Sequence, residues 1–199
     1  MENREIKIMV GSTVYGFEDQ LSAIVSLLMT KGYTVINSHT GQMKVNPKLS
    51  NLENCLKAVE ECDFFIGIIR PYYGTGNIGD KNITFEEIKH AIELNKPYWF
   101  LAHRDVVFAR KLLNKLKARN GGQWEDVAMI EKNTFFDPRC IDVYNYVIKE
   151  GVPVELRNGN WIQEFYRLDE VLTYIDNQFS DRQFILDILR QKEAYNGQL

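Results

Sequence analysis

The sequence predicts an α/β fold: a mostly parallel five-stranded sheet with helices on both faces and a helical insertion after the fourth strand. Three observations predict it. Short apolar runs alternate with stretches of helical periodicity as far as Ala102, the order that yields parallel strands joined by right-handed crossovers. One run, Phe64-Phe65-Ile66-Gly67-Ile68-Ile69, is apolar without alternation, as in a central strand buried on both faces. The chain has 199 residues, 45% hydrophobic and 26% charged, which suits one domain with a real core.

The first strand is Ile6 to Val10, which breaks into Gly11-Ser12-Thr13. From Phe17, the residues Leu21, Ile24 and Leu28 recur at helical spacing until Gly32, where a C-terminal cap belongs. Tyr33 to Ile36 is the second strand. Ser50-Asn51-Leu52-Glu53 reads as a capping box, and Leu52, Leu56 and Val59 mark the face of the helix that follows. After the third strand come Arg70 and the loop PYYGTGNIGDKN, then a helix over about 84–94, then Pro97 and the fourth strand, Tyr98 to Ala102.

Helical segments over about 105–118 and 138–149 form the insertion, the second opened by Asp137 and Pro138. Val154 to Arg157 and Trp161 to Phe165 flank Asn158-Gly159, a strong hairpin signal, so the fifth strand is expected here with an antiparallel partner. Asp169 is expected to cap a helix through Phe179, and Ser180-Asp181 to open the last one. The expected organisation is one domain over 1–179, with the insertion at about 104–150, and a C-terminal helix over 180–199 that packs on it or serves in assembly.

A net charge of −3, with Lys and Arg scattered among Asp and Glu, leaves no basic face for a phosphate backbone, so nucleic acid is not an expected partner. MENREIKIMVGS lacks the long apolar core of a secretory signal, and no run approaches the roughly 20 apolar residues of a membrane span. Cys55, Cys62 and Cys140 show no metal spacing and read as small buried hydrophobes. A reducing cytoplasm and no metal or cofactor are expected.

Ligands of parallel sheets bind beyond the carboxyl ends of the strands. The candidates there are Ser12, Thr13 and Tyr15 after the first strand, His39 after the second, Arg70 and Tyr73 after the third, and His103 and Arg104 after the fourth. An Arg leaving a buried strand either pairs with a structural acid or grips a ligand carboxylate or phosphate. A tyrosine at a strand end can stack a base. Gly74-Thr75-Gly76-Asn77-Ile78-Gly79 matches GxGxxG as a string but sits inside a longer loop, where a lid or turn-rich connector is the better reading. Walker and GxSxG motifs are absent.

Two readings of TFEEIKHAIELNKP stay open. Thr84 and Glu87 form a T-x-x-E capping box, with Glu86 and Glu87 both stabilising at a positive helix end. Alternatively, Glu87 points into the cleft, where a carboxylate stabilises or attacks an oxocarbenium-like carbon.

The segments KIMVGSTVYGFEDQ, ECDFFIGIIRPYYG and TFEEIKHAIELNKP, in this order over about 6–103, resemble the TIR-like domain of unknown function that often precedes NACHT-type ATPase and repeat modules. That family is related in fold to TIR domains and nucleoside deoxyribosyltransferases, flavodoxin-like sheets whose active members cut or transfer at an N-glycosidic bond. Glu87, with Ile88, Ala91 and Lys96-Pro97 behind it, resembles the deoxyribosyltransferase helix that carries the nucleophilic glutamate.

The resemblance implies cleavage or transfer at an N-glycosidic bond of NAD or a nucleoside-like substrate, in a defence or signalling system. Glu87 would stand at the sugar, Arg70 would hold a phosphate or the ribose end, Ser12 and Thr13 would donate, and Tyr73 would shield the base. No ATPase or repeat module follows within the 199 residues, so action through a homo-oligomer or a separate effector protein is expected. The other readings are a non-catalytic scaffold and a nucleotide sensor without turnover.

Overall fold

The computed structural model describes residues 4–74, 77–78, 81–119, 136–159 and 161–196. In chain order the elements are β1 (Lys7–Ser12), α1 (Glu18–Thr30), β2 (Thr34–Ile36), α2 (Asn51–Glu61) and β3 (Phe64–Ile69), followed by two short strands, β4 (Asn77–Ile78) and β5 (Lys81–Asn82). Then come α3 (Ile83–Glu93), β6 (Tyr98–His103), α4 (Arg104–Arg119), α5 (Arg139–Val147), β7 (Ile162–Phe165), α6 (Leu168–Phe179) and α7 (Arg182–Asn196).

Five strands form one sheet in the order β2-β1-β3-β6-β7, and every pair is parallel. Counted within the sheet this is the 2-1-3-4-5 order of flavodoxin-like folds. The reason for the unbroken apolar run of β3 is visible. Phe64, Ile66 and Ile68 enter a core under α1, α6 and α7, while Phe65 and Ile69 enter a second core under α2, α3, α4 and α5. Each large side chain buried this way contributes about 1.5–3 kcal/mol.

The helices follow their apolar stripes. Leu21, Ile24, Val25 and Leu28 bury one side of α1, and the helix ends where Gly32, at φ +82°, donates to the Met29 carbonyl at 2.9 Å. A residue with a side chain would be strained there. Ser50 caps α2, accepting from Glu53 N at 3.2 Å while Glu53 accepts from Ser50 N at 2.7 Å, so the capping box stands. α7 places Ile185, Leu186 and Leu189 in the first core.

Three expectations are corrected. Val154–Leu156 is a 3-10 turn rather than a strand, and β7 pairs with β6 in parallel rather than in a hairpin. Gly159 does bend the chain at φ +65°, but a turn signal acts locally and does not fix what pairs beyond it. The start of α6 is held by Glu170, which accepts from Tyr166 N and Arg167 N. Asp169 lies inside the first turn. The antiparallel β4/β5 ribbon was not anticipated, and Thr75, Gly76 and Gly79 of the GxGxxG string lie outside the described residues, as does 120–135 of the insertion.

Candidate functional site

Because β2 and β3 flank β1 on opposite sides, the loops leaving β1 and β3 part company and open a crevice at their carboxyl ends. A cleft of about 340 Å³ lies there, a size suited to a small molecule. It is walled by the end of β1 from Met9 to Tyr15, by Asn51, Asn54 and Cys55 at the start of α2, and by Asn82, Ile83, Thr84 and Glu87 at the start of α3.

Where α3 begins decides what Glu87 does. Asn82 is the N-cap, its side-chain oxygen accepting from Phe85 N at 3.0 Å, and its amide also donates to the Tyr73 carbonyl. Thr84 is therefore already inside the helix, and the expected Thr84/Glu87 capping box does not form. A start two residues earlier turns Glu87 inward beside Ile88 and Ala91, while Glu86 stays half-buried and pairs with Lys89 at 2.8 Å. The signal was present in the sequence, since Asn is at least as good a cap as Thr.

Glu87 is 5% exposed. Burial pushes its carboxyl from 4.5 up to about 7, and a hydrogen bond from the Cys55 thiol pulls the other way. No positive charge among the described residues contributes. An isolated buried carboxylate destabilises the fold, and such groups concentrate where chemistry needs them. Near neutral pH both forms are populated, so the group can attack or accept as a carboxylate and hold a proton as an acid.

Gly11 makes the space. It pairs with Gly67 across β1 and β3, and a Cβ at Gly11 would stand 3.2 Å from Glu87 Oε2 and 2.8 Å from Phe65 Cζ. The bare backbone lets the carboxylate lie against the strand. Cys55, pushed up to about 12 by burial and then by the Glu87 charge, remains a thiol and is no nucleophile. It is buried, as the sequence led one to expect, and it is also a neighbour of the acid. Nothing local could have shown this, because the two sit on different helices.

The other candidates divide between two sides of the loop after β1. Ser12, Thr13 and Tyr15 line the Glu87 cleft. Tyr15 is 72% exposed at its rim, and the Thr13 hydroxyl is engaged, donating to the Tyr72 carbonyl at 3.0 Å.

Arg70 does not share the cleft. Its guanidinium donates to the carbonyls of Thr13 and Tyr15, both at 3.0 Å, and of Gly16 at 3.3 Å, and lies 4.3 Å over the Phe17 ring. It is a clamp on the loop, neither paired with a structural acid nor turned toward Glu87. Beyond it, Arg70, Tyr72, His103 and Tyr166 line a separate hollow of about 470 Å³, where His103 packs edge-on against Phe165 and burial lowers its pKa.

Tyr73 is buried beneath the Arg139 guanidinium, 4.3 Å from its ring, and so is absent from the cleft wall. His39 and Arg104 line neither cavity. A residue missed by the sequence reading, buried Asn37, ties the loop after β2 to β1 by donating to the Val10 carbonyl at 2.8 Å. Among the described residues no cluster of His, Cys, Asp or Glu could hold a metal ion, and no helix is long and apolar enough to cross a membrane.

Among solved structures, the chain is similar to a CMP N-glycosidase of Clostridium botulinum, BcmB, with 13% identity, a TM-score of 0.47, and coverage of 86% of this chain and 98% of that one. No curated protein matches. The model of the family described as "Domain of unknown function (DUF4062)" matches residues 7–135. Over that span, which holds the β1 loop, both capped helices and Glu87, the chain belongs to the DUF4062 family.

Proposed function

We propose that this protein is an enzyme that cleaves or transfers at the N-glycosidic bond of a nucleoside or nucleotide, NAD included, with Glu87 as the group at the sugar. The observation that supports it is a buried carboxyl with no cation partner among the described residues, raised to about 7, facing a cleft of small-molecule size. Among the described lining residues Glu87 is the lone acid. That suits a leaving group which departs as a nitrogen base better than it suits the two-carboxylate arrangement of O-glycosidases.

In the proposed reaction a Glu87 carboxylate oxygen bonds to C1′ as the C1′–N bond breaks, and the bonding electron pair leaves with the base; a nucleoside base takes up a proton as it departs, whereas the nicotinamide of NAD, bound through a cationic nitrogen, leaves neutral without one. Water, or the nitrogen of a second base, then attacks C1′ and frees the Glu87 carboxylate, while the attacking atom gives up a proton. In this reading Tyr15 at the rim covers the base, and the Ser12 hydroxyl, which donates to the Thr13 carbonyl at 3.2 Å, accepts from the sugar.

The test is incubation of the pure protein with NAD, ribonucleosides and deoxyribonucleosides, with separation of free base from sugar by chromatography. Release of base by the natural protein, and a loss of at least about 100-fold in Glu87→Gln, is the expected result. Activity should rise with pH around 7 as the carboxyl ionises. Equal turnover by the variant would overturn the assignment.

A further inference from the structure

The charge of the cleft bears on the substrate it takes. The described residues lining it include Ser12, Ser38, Asn51, Thr84 and Glu87, together with apolar side chains, and none is Lys, Arg or His. A phosphate monoester carries about 1.5–2 negative charges at pH 7 and is normally met by Arg or Lys or by open helix N-termini.

Both helix ends that reach the cleft carry side-chain caps from their own chain. At α2, Ser50 accepts from Glu53 N, and the Glu53 carboxylate itself sits on the end, 2.7 Å from Ser50 N. At α3, Asn82 accepts from Phe85 N. Arg70, at the end of the adjoining β3, is held by three carbonyls and is not among the residues that line the cleft. A phosphate entering beside Glu87 would meet the carboxylate's charge of its own sign with no cation among the described lining residues to offset it.

Resting on the N-glycosidic reading, we infer that the substrate is an unphosphorylated nucleoside rather than a nucleoside phosphate or a dinucleotide. Uncharged hydroxyls and amides from Ser12, Ser38, Asn51 and Thr84 meet its sugar and base. Specificity against nucleotides then comes from leaving a dianion unpaired.

The experiment pairs each natural ribo- and deoxyribonucleoside with its 5′-monophosphate, and adds NAD. Turnover is measured with the natural protein, and binding by calorimetry with Glu87→Gln, in which a neutral amide stops turnover and leaves the lack of a lining cation as the ground of discrimination. For the best base, kcat/KM for the nucleoside should exceed that for its monophosphate at least tenfold, and the variant should bind the nucleoside more tightly. Turnover confined to monophosphates or NAD would overturn the inference while leaving the N-glycosidic reading standing. If nothing is turned over, that reading fails and the binding arm still decides: a tighter monophosphate, or no binding of either, overturns the inference.

Discussion

Replacing Glu87 by Gln should make the protein more stable at alkaline pH while removing its proposed activity. The carboxyl is 5% exposed and raised from 4.5 to about 7 by burial. Below pH 4.5 the folded and unfolded chains both hold the proton, and the acid carries no ionisation penalty. Between pH 4.5 and about 7 the unfolded chain releases its proton while the folded chain keeps it, so stability falls as pH rises. Above about 7 both are ionised and the loss is complete.

At about 1.4 kcal/mol per pH unit that loss amounts to roughly 3 kcal/mol, a large share of a typical 5–15 kcal/mol. Gln has nearly the same shape and never ionises. Urea unfolding of both proteins at intervals from pH 4.5 to 8.5 should give nearly equal midpoints at the acid end and a variant more stable by about 2–3 kcal/mol at the alkaline end. A difference that stays constant with pH, or a variant that is weaker at pH 8.5, would refute a desolvated, unpaired Glu87.

Gly11→Ala should destabilise by about 1–3 kcal/mol, because the new methyl meets Phe65 and Glu87 Oε2; thermal unfolding reads the stability, and base release should fall at least tenfold. Asn82→Ala should cost about 1 kcal/mol through the lost cap, while Thr84→Ala stays within about 0.5 kcal/mol. Equal losses in urea titrations would move the helix start back to Thr84. Arg70→Met should cost about 2–4 kcal/mol by stripping three loop carbonyls of their donor. Hydrogen exchange should then quicken in residues 13–17, and unchanged exchange there would contradict the clamp.

The elements legible in the sequence were those whose cause is local. Leu21, Ile24 and Leu28 place α1 through their spacing, Gly32 stops it, and Ser50 with Glu53 opens α2, because each effect acts within a turn or two of chain. The unbroken apolar run of β3 also told its position, since a strand covered on both faces has no polar side to show. The hairpin read from Asn158-Gly159 failed for the converse reason: strand pairing is settled by what lies across the sheet, here β6.

The same division runs through the site. By itself the sequence determined the parallel α/β order, and with it that Ser12, Thr13 and Tyr15 lie at the carboxyl edge of the sheet, where they line the cleft. Only the tertiary structure decided that Glu87 faces the cleft, that Cys55 lies beside it, and that Arg70 clamps a loop instead of facing a ligand. Periodicity and turn chemistry are properties of neighbours in the chain. The proton affinity of a carboxyl depends on how much water is removed from it, and here β1, α2 and α3, which meet only once the chain has folded, remove it together.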